Sequence, residues 1–169
     1  IPKDFSPEWT AEIFRGGFET CHKAGAMVVG GHTIQSDEAL FGFAITGFVD
    51  RRAVTANSAA RAGDVLYLTK RLGTGALTTA AKQSRIAWED LLPAARQMAE
   101  LNDRAAAAMN AARANAATDI TGFGLAGHAR NIARGSNVTL AIELARVPLL
   151  DRALDLARAG VSSGGSKKN

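Results

Sequence analysis

Apolar residues recur along the chain at helical spacing in some stretches and alternate with small or polar ones in others. Trp9, Ile13, Phe14 and Cys21 share one helical stripe. Ser6-Pro7-Glu8 ahead of them supplies a capping hydroxyl, a proline at the first helical position and an acid at the positive end of the dipole. Gly25 closes this predicted helix. Met27-Val28-Val29 reads as a short buried strand that runs into Gly30-Gly31-His32-Thr33, and residues 40–49 read as a longer strand. There Phe41, Phe43 and Ile45 fall on one face and Gly42, Ala44 and Thr46 on the other. A face of small residues lets a helix or a second subunit approach closely.

Residues 50–63 are polar and rich in Arg, Ala, Asn and Ser, the best place for a domain boundary. Beyond them, residues 64–69 predict a strand, and Leu72-Gly73-Thr74-Gly75 opens a helix that runs to about Gln83. Met98, Leu101, Ala105, Met109 and Ala112 predict one long helix from near Pro93 to Arg113. Val138, Leu140 and Ile142 alternate as a strand, and residues 150–159 form a last helix closed by Gly160. Helices and strands alternate without a steady parallel rhythm, so the fold class expected is α+β, sheets covered by helices.

Composition narrows the function classes. A chain of 169 residues with 47% apolar content holds one ordinary domain or two small ones. The net charge of +4 is scattered, with tight basic groups only at Arg51-Arg52, Lys70-Arg71 and Lys167-Lys168. Basic residues are not interleaved with aromatics, so a nucleic-acid partner is not expected. Cys21 stands alone, which excludes an internal disulfide and a cysteine-based zinc cluster. Cys21 and His22 are adjacent on a helix and point apart, so Cys21 reads as core. Apolar runs fall far short of a membrane span, and a cytoplasmic setting is the default expectation. The chain opens at Ile1 without an initiator Met and closes on a loop-like glycine tail, which suggests part of a longer protein.

Candidate chemistry concentrates at glycine turns. Residues 117–128 read Ala-Thr-Asp-Ile-Thr-Gly-Phe-Gly-Leu-Ala-Gly-His, placing Asp119 before a glycine-cleared turn at a helix start. Free N–H groups and the helix dipole attract phosphate there, and a carboxylate beside phosphate makes sense with a divalent cation between them. The plainer reading is that Asp119 or Thr121 caps the helix. Gly30-Gly31-His32-Thr33 either brings its backbone against a ring or phosphate or is a tight strand end. Gly73-Thr74-Gly75 could hold an anion but lacks the Gly-Lys-Ser/Thr ending of a P-loop. Gly122, Gly124 and Gly127 have dinucleotide-fingerprint spacing, but the acid precedes them instead of following by about 20 residues. His32 and His128 have no third ligand at zinc spacing, and His128 reads as a satisfied structural histidine. Ser162-Ser163 reads as loop, since no base is spaced to activate a nucleophile there.

Taken in order, the motifs Gly30-Gly31-His32-Thr33-Ile34, residues 41–47, residues 68–75, residues 118–128 and residues 164–169 resemble the selenophosphate synthetase (selenide, water dikinase) family. The resemblance runs from the first helix to the last residue, and Thr118-Asp-Ile-Thr-Gly-Phe-Gly-Leu125 is its most specific element. It implies the AIR-synthase-like (PurM-like) fold of two α+β domains, dimerising through strands of the N-terminal domain. Residues 1–52 would end that N-terminal ATP-binding domain, 53–61 would link, and 62–169 would begin the C-terminal domain. The implied reaction uses ATP, selenide and water, with magnesium and potassium, to give selenophosphate, AMP and orthophosphate. By the same resemblance Asp119 corresponds to a magnesium ligand, and Gly31, His32 and Thr33 to an ATP contact shared across a homodimer. Two departures stand out. Gln35 occupies a position where the family usually has Asp, with Asp37 two residues on, and the family's catalytic Cys (or selenocysteine) and Lys have no counterpart here. Cys21 does not match that cysteine, so no catalytic residue is expected within the chain and activity of this stretch alone is not expected. Two other readings remain open: another ATP-using AIR-synthase relative, of the aminoimidazole ribonucleotide synthetase or thiamine-phosphate kinase type, and a non-catalytic basic dimerisation module.

Overall fold

A computed structural model describes residues 1–165, so Lys167-Lys168 and the end of the glycine tail lie outside the described residues. The chain divides into two compact units, Ile1–Val49 and Asp50–Asn169.

The first unit is built on helix α1, Pro7–Lys23. The Ser6 hydroxyl accepts from the Trp9 N–H, and Pro7 opens the helix where its missing N–H costs nothing. The far end is closed by Gly25 at φ +69°, with Gly25 N–H donating to His22 O and Ala26 N–H to Cys21 O. That crossed pair satisfies two carbonyls that a helix end otherwise leaves open. Phe14 packs edge-on to Phe41, which packs edge-on to Phe43, at centroid distances of 5.4 and 5.2 Å. A Cβ on Gly17 would lie 2.9 Å from the tip of Phe43, so a bare turn of α1 receives these rings. Cys21 is half-buried on the same helix.

The expected strands do not pair. Residues 27–29, 40–49, 64–69 and 138–142 form no ladder among the described residues, where the one bridge joins Leu72 and Leu149 in parallel. The alternation of side chains is present, since Phe41 and Phe43 do share a packed face. A strand also needs a neighbour to take its N–H and C=O groups, and no described segment serves these four stretches as one.

The second unit holds helices α2 (Thr74–Lys82), α3 (Trp88–Ala99), α4 (Asp103–Ala111), α5 (Gly124–Ser136) and α6 (Ala153–Arg158). Its core gathers Leu77 and Ala80 of α2, Leu91 and Ala94 of α3, and Leu150, Ala153, Leu156 and Val161 in and around α6. The single long helix expected from Pro93 to Arg113 is two. It starts earlier, at Trp88, and breaks at Glu100, whose ψ of 125° leaves the helical region. Lys70 Nζ donates to the Gln97 and Glu100 carbonyls at that break, and the Gln97 side chain pairs with both backbone groups of Arg71. The last helix is shorter than expected because Leu150 N–H donates to Leu72 O, taking residue 150 into the bridge. Gly160 closes α6 at φ +80° with the same crossed pair as α1, and Val161 packs back into the core.

Candidate functional site

Asp119 lies in the second unit, at the end of a segment held from outside. Ala117 N–H donates to Ala56 O at 3.1 Å, and the Asn115 amide donates to the Asp64 carboxylate at 2.8 Å. The chain then turns, with Gly124 N–H donating to Thr121 O at 2.9 Å, and α5 begins at Gly124 with φ +68°.

Neither Asp119 nor Thr121 caps α5. The residue at the cap position is Phe123, and no side chain closes that helix start. Instead, Thr121 is gripped by His128 from one turn inside α5. His128 Nε2 accepts from Thr121 N–H at 3.1 Å and lies 3.0 Å from Thr121 Oγ1. A ring nitrogen that accepts an N–H carries a lone pair, which places the imidazole proton on Nδ1. His128 is thus hydrogen-bonded and half-buried, as the structural reading expected. The Asp119 carboxylate is exposed, and among the described residues it has no hydrogen-bond or ion-pair partner.

A second contact on this turn was not legible as a site feature. A Cβ on Gly165 would lie 2.0 Å from Gly122 O and 2.7 Å from its carbonyl carbon, so the tail backbone is seated directly on the turn. Two residues earlier, Ser163 lies against Gly75, where a Cβ would meet it at 3.3 Å. The span from residue 163 to 165 is at most about 10 Å. The start of α2 and the Gly122 turn, read separately in the sequence, therefore meet along one short segment. The Gly164-Gly165 pair was the available signal, and it read as a loop-like tail and as part of the family's motif order, not as a contact with the Gly122 turn.

Gly31, His32 and Thr33 belong to the first unit and are all exposed. Cβ atoms on Gly30 and Gly31 would meet open space, so packing within this unit does not demand glycine there. Ser36 N–H donates to Ile1 O just beyond, while Gln35 and Asp37 are exposed. Gly73, by contrast, is demanded by packing: its φ is +123° and a Cβ would lie 2.3 Å from that of Ala153. Among the described residues, no three of His, Cys, Asp and Glu converge as a metal cluster. Magnesium commonly binds through one or two carboxylates plus substrate phosphates and waters, so a lone unpaired Asp119 suits that ion better than a zinc-type cage.

These features have a family context. Residues 1–49 match the AIR synthase related protein N-terminal domain, and residues 61–166 match the C-terminal domain of the same description. The chain belongs to the AIR synthase related family, and these are the end of the first domain and the start of the second in its two-domain architecture. Among curated proteins it is similar to the selenide, water dikinase of Shewanella sp. (strain W3-18-1), 43% identical over 162 residues, covering 96% of this chain and 46% of that protein. The selenide, water dikinase of Citrifermentans bemidjiense is 45% identical over 159 residues, covering 94% and 46%. That of Treponema denticola is 41% identical over 169 residues, covering 100% and 48%. The chain spans about half the length of the curated relatives it matches. No helix among the described residues is long and apolar enough to cross a membrane.

Proposed function

We propose that the protein is a cytoplasmic selenide, water dikinase that converts ATP, selenide and water into selenophosphate, AMP and orthophosphate. The product would serve selenoprotein and selenium-modified tRNA synthesis. The observation that carries this reading is the exposed Asp119 on a glycine turn, without a partner among the described residues, in a chain 41–45% identical to proteins of that name. Asp119 would hold a magnesium ion together with phosphate oxygens and waters. Bound there, the ion would neutralise the phosphate chain and help to position it. The chain's own contribution is an exposed carboxylate without a partner among the described residues, on a turn fixed by Thr121, His128 and Gly165. Gly31, His32 and Thr33 are the proposed ATP contact of the first unit, where the bare backbone leaves room for a nucleotide. No catalytic nucleophile is assigned to this chain. A homodimer and a potassium requirement complete the reading.

The test is selenide-dependent AMP formation by the full-length protein. Asp119→Ala should lower the rate on the order of 100-fold, the scale of losing a group that stabilises transferring charge. Undiminished activity removes Asp119 from the site. The family match also favours a second reading, an ATP-using relative with a different acceptor, because the matched domains are those of AIR synthase related proteins. ATP turnover by the full-length protein that ignores selenide and responds to an aminoimidazole precursor or thiamine phosphate would establish that alternative.

A further inference from the structure

Resting on the magnesium role proposed for Asp119, we infer that His128 is a positioning residue for it, acting through Thr121. Among the described residues the Asp119 carboxylate has no partner, so within them its placement depends on the backbone that carries it. That backbone is anchored upstream at Ala117. Downstream, the nearest anchor is Thr121, whose N–H and hydroxyl both meet His128 Nε2. Gly122, on which Gly165 is seated, and Gly124, at φ +68°, follow at once, so without that anchor the stretch between Ala117 and the Gly122–Gly165 contact loses its side-chain hold. His128 sits on a helix of 13 residues, a stiff base from which to hold it. The ring also lies beside Phe123, tilted at a centroid distance of 6.5 Å. The arrangement is a rigid helix reaching back to freeze the segment that presents a charge, which is how binding groups are kept in register.

The experiment compares wild type, His128→Phe, His128→Gln and Asp119→Ala in the full-length protein, reading the magnesium concentration that half-saturates ATP turnover to AMP. Phenylalanine keeps the ring packing and loses the acceptor. Glutamine places a carbonyl oxygen near where Nε2 stands. His128→Phe should raise the half-saturating magnesium concentration roughly three- to tenfold, the worth of one net hydrogen bond, and His128→Gln should restore most of it. Thr121 amide exchange should quicken in the Phe variant and slow again in the Gln variant. An unchanged magnesium requirement in His128→Phe, alongside a crippled Asp119→Ala, overturns the inference and leaves the Asp119 reading intact. Full activity of Asp119→Ala overturns the Asp119 reading itself. If His128→Phe fails to fold, Thr121→Ala carries the test, removing the hydroxyl partner alone. A smaller rise in the magnesium requirement supports the inference, and no rise overturns it.

Discussion

Left-handed backbone positions separate glycines that packing demands from side chains that the fold tolerates at a cost. Gly73 combines φ +123° with an Ala153 Cβ that would sit 2.3 Å from its own. Gly73→Ala should therefore destabilise the second unit by about 2–3 kcal/mol, by strain and by pushing α6 off α2. Three helices end on residues that pay for the same conformation: Ser84 after α2 (φ +54°), Arg113 after α4 (φ +50°) and Asn137 after α5 (φ +52°). Each makes the crossed pair of backbone hydrogen bonds that Gly25 and Gly160 make elsewhere, so each occupies a glycine position. Ser84→Gly and Arg113→Gly should each stabilise by about 1 kcal/mol, and Asn137→Gly by less, because asparagine already tolerates this region. Urea unfolding midpoints check the order. A lower midpoint for both Ser84→Gly and Arg113→Gly would show that these ends do not adopt the left-handed turn in solution.

Helix ends were legible where their signals are local and illegible where they are not. Ser6-Pro7-Glu8 announced α1, and the structure adds that the Ser6 hydroxyl donates to the Glu8 carboxylate at 2.6 Å. That bond holds the Glu8 pKa below its ordinary value. A lowered folded pKa contributes stability that is present above the ordinary carboxylate value and lost as pH falls through the lowered one. The α1 helical signal should thus weaken modestly on acidification below about pH 4.5, and Ser6→Ala should shrink that step, a backbone hydrogen bond to Glu8 remaining, along with about 1 kcal/mol of capping. Circular dichroism against pH, for wild type and Ser6→Ala, reads both. The break between α3 and α4 had no such local sign. It is held by Lys70 and by Gln97 on the Arg71 backbone, contacts 26–30 residues apart in sequence. The heptad-like spacing of Met98, Leu101, Ala105 and Met109 runs straight through it. Likewise the turn at Asp119 was legible from its glycines, but the seat of Gly165 on Gly122 was not, because nothing local at Gly122 reports a distant backbone. Strand segments were readable by alternation alone, and alternation says nothing about whether a partner lies alongside.

At the scale of the molecule, the first unit carries more apolar surface than it covers. Phe41 and Phe43 are turned to α1, yet Ile45 remains 83% exposed and Phe48 wholly so, with Leu40 and Val49 also exposed along the same segment. Gly42 and Gly47 on this segment have no atoms near their Cβ positions, so a neighbour's backbone could approach closely. Unpaired backbone and bare aromatic surface together make a poor solvent-facing edge, and pairing with another chain is the usual remedy. The proposed homodimer supplies that remedy, since a second copy would bring an identical segment. In a symmetric interface every substitution counts twice. Losing a single contact of about 2 kcal/mol per protomer would weaken the dimer roughly a thousandfold. Ile45→Lys and Phe48→Lys in the full-length protein should therefore shift sedimentation from dimer to monomer at micromolar concentration. The helical signal should be retained, because neither side chain belongs to the buried core. A variant carrying both lysines that stays dimeric would place the interface elsewhere and leave this apolar edge to be covered by other parts of its own chain.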